Sequence, residues 1–192
     1  MIIKVGHFTF KSDTIISDLQ LEIKKGQKIA IFGRNGVGKS TLLNLMVGKI
    51  NSDIEITNLM NYAYFGKESH INLQSTLKLE ADLFKNELNF SIYKELLRGL
   101  HFEEYENKKL NKLSQGNKVK AELIFILSLA DKELFVLDEP SESLDEKSVD
   151  FLGNFIKESD KTFVVVSHSR SFTEKFSTKE YHLENHTLLE NV

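Results

Sequence analysis

Lys39, Ser40 and Thr41 place a cation and two hydroxyls directly behind a glycine-spaced turn, Gly33-Arg34-Asn35-Gly36-Val37-Gly38. The spacing Gly-x-x-x-x-Gly-Lys-Ser suits the grip of a triphosphate. Glycines let successive backbone N–H groups curl around phosphate oxygens where a Cβ would block their approach. A helix starting near Lys39 adds the positive end of its dipole. Lys39 is expected to reach the β- and γ-phosphates, and the Ser40 hydroxyl suits a Mg2+ that keeps most of its waters. Thr41 is expected to support the helix.

A second set of groups lies about a hundred residues further on. Asp138 closes the apolar run Leu134-Phe-Val-Leu137, where it can hold the Mg2+ directly or through water. Glu139 follows at once, and a second carboxylate there can orient and deprotonate a water facing the γ-phosphate. His168 ends another apolar run, Thr162-Phe-Val-Val-Val-Ser167, and can bond a γ-phosphate oxygen or position the water. The other histidines, His7, His70, His101, His182 and His186, show no metal-ligand spacing.

These groups need a scaffold that brings them together. Ile2 to Val5 and the alternating Leu19-Gln-Leu-Glu-Ile23 predict an antiparallel lead-in, and Lys25-Gly26-Gln27 turns the chain into the strand Lys28–Phe32. The helix from Lys39 carries Leu42, Leu43, Leu45, Met46 and Val47, with Gly48 placed to end it. Ile54-Glu-Ile56 and Tyr62-Ala-Tyr-Phe65 are short strand candidates. From Ser75 to Leu100 the spacing turns helical, and after the polar run Glu103–Lys112 the stretch Leu113-Ser-Gln-Gly-Asn117 opens a further helix, delivering Ser114 and Gly116 to its N-terminus. The apolar runs 134–137 and 162–166 read as buried parallel strands, with a helix over Glu146–Glu158 between them and a closing hairpin about Asn185. The expectation is a single domain over residues 1–192: a three-layer α/β P-loop NTPase core with an antiparallel β subdomain and a helical insert near 70–130.

The 192 residues suffice for one domain with a real core, and 41% hydrophobic with 28% charged residues is ordinary for a globular chain. A net charge of −3 argues against a broad nucleic-acid-binding surface. The absence of cysteine excludes disulfides and thiolate metal sites. No apolar run reaches the roughly 18 residues that span a bilayer, and the N-terminal residues have no signal-peptide organisation. The chain is therefore expected to be cytoplasmic, meeting a membrane only through a partner.

Together these residues resemble the ATP-binding cassette family over nearly the whole chain. Gly33 to Thr41 matches the family's Walker A motif, Leu113-Ser-Gln-Gly-Asn117 its signature loop, and Phe-Val-Leu-Asp-Glu-Pro140 its Walker B with catalytic glutamate. Ser141-Glu-Ser-Leu-Asp145 matches the D-loop and His168 the switch histidine. Counting back from Gly26 puts Phe10 where the family stacks an aromatic on adenine. The resemblance implies ATP and Mg2+ as ligands, and two cassettes meeting head to tail with each ATP between one Walker A and the other's Ser114 loop. On that reading Lys39, Glu139 and His168 are catalytic and Asp145 joins the nucleotide site.

Two departures stand out. Lys67 occupies the position of the family's Q-loop glutamine, where a cation can contact phosphate but does not ligate Mg2+, and Gln115 and Asn117 replace a glycine and a glutamine of the signature. Ser-x-Gly-x-Lys followed by Lys120 looks like the signature loops of exporters. The first expectation is thus the ATPase subunit of an exporter, a homo- or heterodimer docked on a separately encoded permease at the inner face of the cell membrane, with no nucleic acid bound. The helical insert is the expected dock, with Phe84, Phe90 or Tyr93 as candidate contacts, although their helical spacing favours the core for most of them. Alternatives are a soluble cassette acting on ribosomes or DNA, and a weakly hydrolysing regulatory subunit.

Overall fold

A computed structural model describes residues 1–10, 13–50, 54–57 and 59–191, with the backbone alone at 3–10, 13–18, 54 and 191. Strands β1 (Ile2–Phe10) and β2 (Asp13–Glu22) lead in, followed by β3 (Lys28–Phe32) and helix α1 (Lys39–Met46). Next come β4 (Ile54–Thr57), β5 (Tyr62–Phe65), α2 (Leu77–Leu83), α3 (Phe90–Gly99) and α4 (Gln115–Leu127). The chain closes with β6 (Leu134–Asp138), α5 (Glu146–Glu158), β7 (Thr162–Val166), α6 (Arg170–Thr173), β8 (Lys179–Glu184) and β9 (Thr187–Asn191).

The lead-in is longer than its apolar pattern predicts: β1 and β2 pair antiparallel along almost their whole length, and β4 adds to the other edge of β1. The alternation 19–23 works as expected, burying Leu19, Leu21 and Ile23 while Gln20 and Glu22 face solvent. The main sheet has the order β5-β6-β7-β3-β8-β9, parallel except for β9. Its central strands are apolar on both faces because both faces are covered. One face puts Ile29, Ile31, Val136, Val164 and Val166 against Leu42, Leu43, Leu45 and Met46 of α1 and against the lead-in sheet. The other puts Phe135, Leu137, Phe163 and Val165 against the helices from α2 to α5.

β7 lies between β3 and β6, with Val166 beside both Ile31 and Asp138. The carboxyl ends of all three strands therefore open at one place, the crevice where α/β sheets hold ligands.

The helical stretch 75–100 is two helices rather than one, because polar caps interrupt it. Thr76 accepts from the Leu79 N–H to start α2, and Asn89 accepts from the Ser91 and Ile92 N–H groups to start α3. The polar run 103–112 folds into two short 3-10 turns, over Glu103–Tyr105 and Leu110–Lys112. Tyr93, an expected dock, is instead core: its ring is buried, burial and Glu106 raise its phenol pKa, and its hydroxyl donates to Glu106 at 2.9 Å. Phe90 leans half-buried on that core, and Phe84 meets the Phe125 ring edge-on. The large apolar side chains this segment exposes are Leu73, Leu79 and Leu83 besides Phe84. At the end of the chain, Asn185 and His186 both take positive φ, 47° and 68°, making the two-residue turn of the β8–β9 hairpin.

Candidate functional site

The phosphate-loop residues form a turn that needs its glycines. Gly33 has φ 155°, and a Cβ there would sit 2.6 Å from the Leu183 carbonyl oxygen and 2.9 Å from Val37 Cγ1. Gly36 and Gly38 take φ of 80° and 109°, in the left-handed region. Val37 turns inward onto the core, while Arg34 and Asn35 are exposed. Gly38 is the N-cap of α1 and has no side chain to cap with, so the leading N–H groups of the helix keep their capacity for an anion. Lys39, 7% exposed, folds back along the loop and donates to the Gly33 carbonyl at 2.8 Å and the Arg34 carbonyl at 3.1 Å. Among the described residues its ammonium has no acidic partner.

Beside this loop opens a cleft of about 850 Å³ lined by Asn35, Gly36, Gly38, Lys39, Ser40 and Thr41, and also by Asp138, Glu139 and His168. The strand order brings these residues together across more than 120 positions of sequence. Asp138, at the carboxyl end of β6, is 8% exposed, and no hydrogen bond or ion pair among the described residues engages its carboxylate. Its charge is felt by Tyr64, whose phenol is pushed up to about 12, first by burial and then by Asp138 and Glu68.

Glu139 sits in the left-handed region at φ 51°, a strained conformation for a residue with a side chain. Its N–H donates to the Val166 carbonyl at 2.9 Å, and its Oε2 accepts from the His168 N–H at 3.2 Å and meets the ring Nδ1 at 2.9 Å. An ionised Glu139 can only accept, so Nδ1 carries the proton of that contact. The neutral ring then offers a lone pair at Nε2, and only the imidazolium can hold Glu139 and donate to a phosphate at once.

The donors suit the metal expected from the sequence. Among the described residues no three of His, Cys, Asp and Glu gather into a metal-holding group, whereas Ser40 and Asp138 line the same cleft. Two hard oxygens beside a phosphate loop fit a Mg2+ that takes its other ligands from phosphate and water.

Three predicted residues lie elsewhere. Ser114 caps α4 with its own hydroxyl, which accepts from the Asn117 N–H at 3.3 Å. Gly116 is needed by close packing: a Cβ there would come 2.6 Å from the Ser143 carbonyl oxygen. Asp145 does not line the cleft. It caps α5 through the Ser148 N–H at 3.0 Å and pairs with Lys120 Nζ at 2.6 Å, and that lysine bond above all holds its carboxyl well below the usual range. Lys120 and Ser143 therefore tie the Ser114 loop to the 141–145 loop, a link that spacing alone did not reveal. A lone lysine inside the apolar face of α4 was its signal. Phe10 lies in β1, but its side chain is outside the described residues.

No helix among the described residues is long and apolar enough to cross a membrane. A family profile described as ABC transporter matches residues 16–142. The chain is 33% identical over 183 residues to the ribosome protection protein VmlR of Bacillus subtilis (strain 168), which covers 95% of this chain and 31% of VmlR. It spans about a third of the length of the curated relatives it matches. Among solved structures, the ATP-binding subunit of an ABC transporter superposes with a TM-score of 0.85 at 20% identity, covering 100% of this chain and 89% of the other. A dimeric ATP-binding cassette in a post-hydrolysis state, bound to ADP and Pi, gives 0.80 at 19% identity, covering 100% and 98%.

Proposed function

Because the chain belongs to the ATP-binding cassette family, we propose that it is a Mg-dependent ATPase that works as one of a pair, each ATP held between one subunit's phosphate loop and the other's Ser114 loop. The observation that carries the reading is Glu139 beside Asp138, held by His168, at the mouth of the loop that ends in Lys39 and Ser40. The backbone of Gly33–Gly38 and the start of α1 bind the β- and γ-phosphates, and Lys39 neutralises charge that grows on the γ-phosphoryl oxygens. Ser40 and Asp138 hold the Mg2+, which when bound draws charge from the phosphate oxygens. Glu139 takes the proton of a water attacking the γ-phosphorus in line, as the bond to the bridging oxygen breaks and ADP leaves. His168 orients Glu139 and, as imidazolium, donates to the γ-phosphate.

Pairing is supported by what the cleft lacks. Ser114 is exposed at a helix N-terminus and does not line the subunit's own cleft, although Gln115 and Val119 do, and residues 107–119 carry four lysines and no acid. Such a surface suits a partner's triphosphate. Homo- and heterodimer are both compatible with it. Loss of the γ-phosphate on hydrolysis weakens the sandwich and opens the pair.

The work driven by this cycle is proposed first to be on the ribosome. The support is the 33% identity over nearly all of this chain to VmlR, named a ribosome protection protein. The second reading, an exporter subunit docked on a separately encoded permease from the cytoplasmic side, is supported by Leu79 and Leu83, exposed one turn apart on α2.

The test is Glu139→Gln with Mg-ATP. The variant is expected to bind ATP, lose turnover and accumulate as a dimer by size-exclusion chromatography, and unchanged turnover removes Glu139 as the base. Its co-sedimentation with ribosomes supports the first reading, and recovery with membranes and a multi-spanning protein supports the second.

A further inference from the structure

A carboxylate outside the cleft is built as carefully as those inside it. Glu122 lies on the inner face of α4, is 6% exposed, and finds all its partners on the loop that follows β5. Oε1 accepts from the His70 N–H at 2.6 Å and meets His70 Nδ1 at 3.0 Å, while Oε2 accepts from the Ser69 hydroxyl at 2.7 Å. A buried carboxylate is costly unless its oxygens are satisfied, and these three contacts satisfy them.

The same loop carries Lys67. Phe65, Gly66 and Lys67 line the same cleft as Lys39, so the loop runs from the nucleotide pocket straight into the Glu122 clamp within three residues. At its start the loop passes so close to the Tyr64 ring that a Cβ at Gly66 would lie 2.4 Å from it, so the position takes glycine. Beyond Lys67, the Glu68–Lys49 pair at 3.2 Å is a rim contact and adds little, leaving Glu122 as the buried anchor. The cleft also holds Asp138, Glu139 and Glu142. Lys67 adds a second cation to Lys39 in the same cleft, where it offsets their charge.

We propose that Glu122 is a positioning residue that sets Lys67 as a second cation on the γ-phosphate, so that the helix headed by Ser114 also governs grip on the nucleotide in its own subunit's cleft. This rests on the nucleotide site proposed above, though not on its hydrolytic step. Preorganisation is the physical content: a lysine on a clamped loop loses little freedom on meeting phosphate, and one on a released loop loses more.

The experiment compares equilibrium affinities for ADP and for the β,γ-imido analogue of ATP, with Mg2+, in a double-mutant cycle. Lys67→Ala and Glu122→Ala are each expected to cut the preference for the analogue about tenfold, and the double variant no further than either alone. Glu122→Gln, whose amide can still bond Ser69 and His70, is expected to keep the preference within about twofold of the parent. Should Glu122→Ala not fold, Ser69→Ala with His70→Ala removes the two side-chain contacts while the His70 N–H bond stays, and is expected to give a smaller loss of the same sign that likewise disappears in the Lys67→Ala background. An unchanged preference in Lys67→Ala overturns the proposal. So does an equal loss from Glu122→Ala with and without Lys67, since that is how a purely structural carboxylate behaves. A parent protein that keeps the preference but hydrolyses nothing defeats the ATPase reading alone.

Discussion

Two helix N-termini, those of α1 and α4, are both candidates to hold phosphate, and they are finished in opposite ways. α1 is headed by Gly38, which cannot cap it, with a buried Lys39 and the carboxylates of Asp138 and Glu139 in the same cleft. α4 is headed by Ser114, whose hydroxyl already caps it, and the carboxylate paired with its Lys120, Asp145, is also bound by Ser148. The first end is left unsatisfied by its own chain and has its chemistry beside it. The second is self-satisfied, and it reaches that cleft through the uncharged Gln115 and Val119. An unsatisfied helix end costs stability and is kept where a ligand completes it. A capped end holds its shape without ligand and can wait for a partner's phosphate, giving up only one weak side-chain bond.

The contrast can be broken from either side. The largest effect is expected at the α1 end: Glu139→Gln should lower turnover about 10³-fold, the range of a lost general base, with ATP affinity retained in equilibrium binding. Lys39→Ala should remove nucleotide binding itself, and normal ATP affinity in that variant would contradict the phosphate-loop assignment. At the α4 end the effects should be smaller and fall on pairing and stability.

Asp145→Asn leaves the buried Lys120 ammonium without its countercharge. Because Asp145 is itself half exposed, the loss should be about 2 kcal/mol in denaturant unfolding, below the 3–5 of a fully buried pair. Its folded pKa lies below the unfolded value, so this stability is full above about pH 4 and fades as acid protonates the carboxyl. The gap between parent and variant should close in the same window. Ser114→Ala should cost about 1 kcal/mol of helix capping. On the proposed reading it should also weaken the ATP-dependent dimer while leaving monomeric ATP affinity intact. A dimer of full strength in Ser114→Ala would remove that loop from the trans site.

Much of the site was legible because its chemistry is local. Gly33 to Ser40 specify their own turn, since positive φ and close approach admit only glycine at the key places. Asp138 and His168 announced themselves by ending apolar runs, which mark strand ends. The helices at 75–100 were less legible because the same apolar spacing serves one long helix or two, and the caps Thr76 and Asn89 decide between them. Helical spacing alone favours the core for Phe84, Phe90 and Tyr93 without saying which face is covered, and the fold buries Tyr93 while leaving Phe84 exposed.

Residue order alone thus determined the glycine-spaced turn and which carboxylates end strands, since backbone freedom, charge and strand-ending position are properties of short segments. Only tertiary structure decided that β7 separates β3 from β6, which is what joins Lys39, Glu139 and His168 in one cleft. It also decided that Asp145 belongs to Lys120, and that Glu122 holds the loop bearing Lys67. Those pairings join residues from 25 to more than 50 positions apart, and no local pattern encodes which distant partner a buried charge will find.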